Sequence, residues 1–240
     1  MTHITKDFIA DNLKRVREHI ETACARVGRN PESVTLVAVT KTHGADVVSA
    51  AIEAGVTDVG ENRIHEFLDK KDAVTLRCRW HLIGTLQRNK AGRAIDQFSL
   101  IHSVDRLKLA ETLSRLGGER NVTSRILLEV NTSGEKSKHG FVPAEVYEAA
   151  TKINGLPNLE LRGLMTIGPF TDEMTRVRRA FQSLFRLREK VSESSGIDMP
   201  HLSMGMTGDF QIAIEEGSTI IRVGRVLFGG RGPAGAARDP

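Results

Sequence analysis

The chain has 240 residues, 40% hydrophobic and 27% charged, the balance of an ordinary globular protein rather than a disordered or fibrous one. Its formal net charge of +4 permits an anionic ligand without singling out nucleic acid. No apolar run approaches the ~20 residues that span a bilayer, Met1–Asp7 has no apolar signal region, and Cys24 and Cys78 stand in unrelated contexts that make no metal or redox pair, so a cytoplasmic protein without membrane attachment is expected.

In chain order, helical spacing first predicts a helix over Phe8–Val27. Eight short apolar runs then read as strands: Val34–Lys41, Val56–Glu61, Arg79–Gly84, Ser99–Val104, Ile126–Asn131, Leu159–Met165, Leu202–Met206 and Ile220–Gly224. Helical stretches near 45–54, 62–71, 87–95, 105–117, 143–154, 172–195 and 209–216 separate them. Pro31, Pro143 and Pro157 fall at boundaries, and Asp105 and Asp209 occupy N-cap positions. Eight β/α alternations in this length predict an α/β fold, a single (β/α)8 TIM barrel with an extra N-terminal helix. One domain is expected over 1–231, with 232–240 as a loose tail.

Active sites of such barrels lie in the loops after the strand C-termini, which is where polar and glycine-rich endings cluster here. Lys41 closes the run Val34–Thr40 at the first mouth. A lysine there is either a solvated strand cap or, with burial lowering its pKa, an amine able to form a Schiff base with an aldehyde. After the seventh strand, Ser203-Met204-Gly205-Met206-Thr207-Gly208-Asp209 opens a helix, and after the eighth, Arg222-Val223-Gly224-Arg225 adds a glycine turn and two guanidinium groups. Glycines let backbone N–H groups approach a ligand, and helix N-termini favour phosphate. Ordinary βα turns would look similar, but together with Lys41 the pattern suits a phosphorylated aldehyde such as pyridoxal 5′-phosphate (PLP).

Other features point elsewhere less strongly. The basic stretch Arg176–Lys190 carries Val177, Phe181, Leu184, Phe185 and Val191 at helical spacing, which reads as the solvated face of an amphipathic helix rather than a nucleic-acid site. Tyr147 falls mid-helix and reads as a packing residue. His81, His102, His139 and His201 have no partner visible in sequence and read as structural. No spacing suggests a metal site.

Several blocks taken together carry a resemblance. They are Val37–Thr42, Gly60-Glu61-Asn62, Trp80–Lys90, Ile101–Asp105, Val130-Asn131 with Glu135 and Lys138, Arg162–Met165, Leu202–Met206, and Arg222-Val223-Gly224 with Phe228-Gly229. Over about residues 8–231 the chain resembles the YggS/PROSC family of pyridoxal phosphate homeostasis proteins. The resemblance implies a fold like the N-terminal domain of alanine racemase without its second domain, and PLP held covalently as a Schiff base at Lys41. It implies phosphate and ring contacts from Ser203, Met204, Thr207, Arg222 and Gly224, with Asn62, Ser103 and Asn89 nearer the rim. It further implies a monomer with little or no turnover that serves PLP homeostasis, with PLP-dependent apo-enzymes as partners; the alternative is a PLP-dependent amino-acid racemase. Three positions depart from the family pattern: Thr40 replaces serine, His43-Gly44 replaces a pattern often holding proline and so predicts a looser loop, and Arg225 replaces threonine or serine.

Overall fold

A computed structural model describes residues 4–135 and 137–229; the expected tail 232–240 lies outside the described residues. Eight parallel strands pair in chain order: β1 (Thr35–Val39), β2 (Asp58–Glu61), β3 (Arg79–Leu82), β4 (Leu100–Val104), β5 (Ser124–Glu129), β6 (Leu159–Met165), β7 (His201–Ser203) and β8 (Ile220–Val223). β8 returns to β1, with Val37 opposite Arg222 and Ala38 opposite Val223, so the barrel is closed and presents no sheet edge.

The first helix, α1 (Lys6–Arg26), precedes the barrel, as its pattern predicts. The Thr5 hydroxyl accepts a hydrogen bond from the Phe8 N–H at its start. Ile9, Leu13, Val16, Ile20 and Ala23 recur every three or four residues and are buried. Around the barrel follow α2 (Ala45–Glu53), α3 (Ile64–Lys71), α4 (Leu107–Arg120), α5 (Val146–Asn154), α6 (Met174–Ser195), α7 (Phe210–Glu215) and α8 (Arg225–Phe228). Helix α1 packs on α2, α7 and α8. In α6 the expected apolar stripe is buried, and one of its arginines is tied down rather than solvated: Arg178 pairs with Glu215, at 2.5 Å, and with Glu216.

Some boundaries differ from the sequence expectation. The expected helix at 87–95 is a 3-10 turn over Arg88–Arg93, although Ala91, Ala94, Ile95 and Phe98 are buried at helical spacing. The expected cap Asp105 is displaced by Arg106, whose guanidinium it holds at 2.7 Å. The four-residue α8 has no periodicity long enough to be read from sequence.

Inside the barrel, Val37, Leu100, Leu127, Met165 and Ile220 form an apolar layer, meeting across strands that are not all neighbours. Two larger apolar clusters fill the space between strands and helices. Side chains alternate along a strand, so two residues beyond this layer Val39, His102, Glu129 and Arg222 face the same interior. That second layer is mostly polar and lies toward the C-terminal mouth. Its geometry depends on a bulge: Ile126 pairs with Leu161 but Leu128 with Leu164, so β6 carries an extra residue at Arg162-Gly163. Gly163 has φ 147°, and a Cβ there would lie 1.9 Å from the His201 carbonyl oxygen. Only glycine fits.

Candidate functional site

Lys41 stands two residues past the end of β1, in the turn at the C-terminal mouth of the barrel. It is half-buried, and its amine has no hydrogen bond or ion pair among the described residues. The preceding residue is held firmly. The Thr40 N–H reaches the Gly60 carbonyl at 3.0 Å, and its hydroxyl donates to Glu61 Oε1 at 2.5 Å. Lys70 of α3 donates to the same Glu61 oxygen at 2.6 Å and to the Thr40 carbonyl at 2.9 Å. All three residues are buried, and burial pushes the Glu61 carboxyl up against the pull of Lys70 and Thr40.

After Lys41 the chain turns through Thr42 at φ 68°, a conformation few β-branched residues adopt, with its N–H held by Glu66 Oε2 at 2.9 Å. The His43 ring packs on Phe228 of α8, 4.9 Å between centroids. The looser loop expected from His43-Gly44 is therefore corrected: this turn is pinned to α3 and α8. Lys70 was not legible as a site residue, although its spacing from Ile64 and Phe67 puts a charge on the buried stripe of α3.

The polar inner layer contains a hydrogen-bonded file. Asp58 Oδ1 lies 2.8 Å from His81 Nε2, His81 Nδ1 lies 3.0 Å from His102 Nε2, and His102 Nδ1 lies 2.9 Å from Ser203 Oγ. Arg222 donates to Ser203 Oγ at 2.5 Å and to the Thr166 carbonyl at 2.9 Å. The sequence reading of His81 and His102 as partnerless is thus overturned. Asp58 comes from the neighbouring strand β2, and Ser203 from β7, which only barrel closure brings near β4. Burial lowers the Arg222 guanidinium to about 10, and Asp209 and Glu129 oppose that shift. Glu129 is 5% exposed, and its Oε2 has no partner among the described residues. Burial, then the charge of Asp105, pushes its carboxyl up to about 7 against Arg222 and Arg106.

The loops after β7 and β8 lie beside this layer. Gly205 turns at φ 96°, where a Cβ would sit 2.6 Å from the Ala213 Cβ and 2.9 Å from the Phe210 Cα, so the loop presses onto α7. Asp209 begins α7, yet its carboxylate accepts from the Met206 N–H at 2.5 Å instead of capping the helix. Among the described residues, the N–H groups of Thr207 and Gly208 have no partner, nor do those of Arg225 and Val226 in the first turn of α8.

The structure therefore gathers Lys41, Ser203, Arg222, Thr207 and Gly224 at one end of the barrel, with Asn62 half-buried just after β2. Met204 differs: its side chain is fully buried in the layer beneath the helices, its N–H donates to Ile220, and its carbonyl accepts from Ser218. The Ser103 hydroxyl donates to the Gly84 carbonyl at 2.6 Å, and Asn89 is exposed in the 3-10 turn. Asn131, Glu135 and Lys138 form one loop, in which the Asn131 amide donates to the Glu135 carbonyl and Lys138 to that of Gly168. Tyr147 is 43% exposed on α5, which corrects its expected packing role.

Residues 5–232 match the family described as alanine racemase, N-terminal domain. The chain is 40% identical over 222 residues to the pyridoxal phosphate homeostasis protein of Aquifex aeolicus, covering 92% of this chain and 97% of that one. It superposes with a TM-score of 0.82 on PipY of Synechococcus elongatus, solved with PLP bound, at 33% identity over 92% of this chain and 100% of that chain. Alanine racemase of Clostridium difficile shares the fold alone, with a TM-score of 0.77 at 16% identity, and this chain covers 58% of its length. A closed eight-stranded barrel with this strand-end pattern, matched along nearly its whole length at such identity, belongs to the YggS/PROSC family of pyridoxal phosphate homeostasis proteins.

Proposed function

We propose that this protein binds PLP through Lys41 and serves PLP homeostasis with little or no catalytic turnover. The observation that carries the reading is the pairing, at one barrel mouth, of a fixed guanidinium with a half-buried amine and backbone N–H groups that have no partner among the described residues. This donor set fits the group. When bound, PLP supplies an aldehyde for reversible capture by an amine. Lys41 would be the amine that holds the group covalently. The N–H groups of Thr207, Gly208, Arg225 and Val226 would hold phosphate, with the Thr207 hydroxyl and Gly224 beside them. Met204 contributes packing, because its backbone groups are already paired. Ser103 and Asn62 belong to the rim.

Arg222 supports the reading of little or no turnover. A guanidinium has no lone pair to accept a proton, so if Arg222 stood beside the pyridine nitrogen it would disfavour ring protonation and weaken electron withdrawal. The carboxyl of Glu129, poised near 7 in the same layer, is the one observation that favours the racemase reading.

The deciding experiment incubates the purified protein with PLP, records the absorption spectrum, reduces with borohydride and maps the modified peptide. A yellow protein modified at Lys41 is expected, with both signals lost in Lys41→Ala; a colourless wild type would overturn the proposal. Chiral chromatography of amino acids incubated with the loaded protein tests turnover, and robust racemisation would overturn the non-catalytic part. A cytoplasmic monomer that passes PLP to apo-enzymes completes the proposal, and sedimentation of the loaded protein tests the monomer.

A further inference from the structure

The hydrogen-bonded file runs the width of the barrel, from Asp58 at the start of β2 to Arg222 on β8, and its proton positions follow from its two ends. Asp58 accepts three hydrogen bonds, from Thr57 Oγ1 at 2.7 Å and from Arg79 Nε at 2.7 Å and Nη2 at 2.6 Å, and its Oδ1 lies 2.8 Å from His81 Nε2. Paired with Arg79 and held far below the usual carboxyl range despite burial, Asp58 carries no proton and can only accept. His81 Nε2 therefore carries a hydrogen. At the other end, Arg222 can only donate, so Ser203 Oγ accepts from it.

Between these ends, charge decides. Arg79 already neutralises Asp58, and a second charge on His81 would place an unmatched cation in an interior that also holds Arg222. With His81 neutral, its Nδ1 must accept, so His102 donates from Nε2 and accepts at Nδ1 from the Ser203 hydroxyl. Burial first, and then the Arg222 guanidinium, keep His102 well below its ordinary pKa, which agrees with a neutral ring.

We infer that Asp58, His81, His102 and Ser203 form a one-way hydrogen-bond relay, every hydrogen pointing from Arg222 toward Asp58, that positions Arg222 for its ligand from the opposite end of the barrel. His81 and His102 are positioning residues, and the relay fixes their tautomers as well as their places. The ligand-facing part of this inference rests on the PLP reading above. Asp58→Asn is the informative change, because it lies at the floor and its amide can donate to His81 Nε2. Both rings would then switch to hydrogen on Nδ1, Ser203 Oγ would accept twice, and its hydroxyl would swing away from His102.

The test begins with 15N NMR of histidine-labelled apo protein, which needs neither ligand nor variant. Neutral rings at His81 and His102, each with hydrogen on Nε2, are expected. A doubly protonated His81, or hydrogen on Nδ1 of His102, would overturn the relay. In Asp58→Asn both tautomers should reverse, and PLP affinity measured by absorption should fall about tenfold, the loss of one charge-assisted contact. Reversed tautomers with unchanged affinity would overturn the positioning role. If the wild type takes up no PLP, the functional proposal fails while the tautomer measurement still judges the relay.

Discussion

Glu129→Gln should make the ligand-free protein more stable, and only above mildly acidic pH. Glu129 is 5% exposed, one of its oxygens has no partner among the described residues, and its carboxyl is raised from an ordinary 4.5 to about 7. The folded chain thus keeps this proton to higher pH than the unfolded chain does. Stability from this site is present in full below about pH 4.5, declines as pH rises, and is lost above about pH 7. At about 1.36 kcal/mol per unit, the raised value corresponds to about 3 kcal/mol lost at alkaline pH. Glutamine keeps the shape and does not titrate. Near pH 4.5 it should match the wild type, and near pH 8 it should exceed it by about 3 kcal/mol, about 6–12 °C in Tm for a chain of this size. Urea unfolding of the apo protein at both pH values is the assay, with equal m-values required. The reasoning is refuted by a stability difference that is the same at both pH values, or by a variant less stable at the higher one.

Lys70→Met removes the cation that holds Glu61 and the Thr40 carbonyl, leaving a buried carboxylate; it should cost about 3–5 kcal/mol in denaturant unfolding. Adding Glu61→Gln to it should recover most of that loss, and a purely additive double variant would show that the pair is not coupled. Gly163→Ala places a Cβ 1.9 Å from the His201 carbonyl at φ 147°, so it should destabilise by about 2 kcal/mol or more and weaken PLP uptake by moving β7, where Ser203 sits; a thermal melt unchanged from wild type would contradict the bulge.

What could be read from the sequence, and what could not, divides along a physical line. Strand alternation and helical periodicity are local, so Val34–Thr40 and the α1 stripe announced their elements, and their alternation announced the barrel. The position of Lys41 and of the loops after β7 and β8 at one barrel mouth follows from the same local pattern, since each closes a strand. Pairing across the interior is not local: His102 meets Ser203 from 101 residues away, and only closure of β8 onto β1 sets which inward residues face one another. A buried polar residue in one strand looks like an isolated oddity until its partner is known. Seen singly, His81 and His102 are ordinary histidines. Asp58 saturated by Arg79 and Thr57 at one end, and a donor-only Arg222 at the other, make them parts of one polarised path. The same holds for Lys70, whose charge breaks the apolar stripe of α3 and makes sense only once Glu61 and Thr40 stand behind Lys41. An intramolecular charge on an otherwise apolar stripe is therefore the signal to follow in such chains, because burying it requires a partner, and the partner here stands directly behind Lys41.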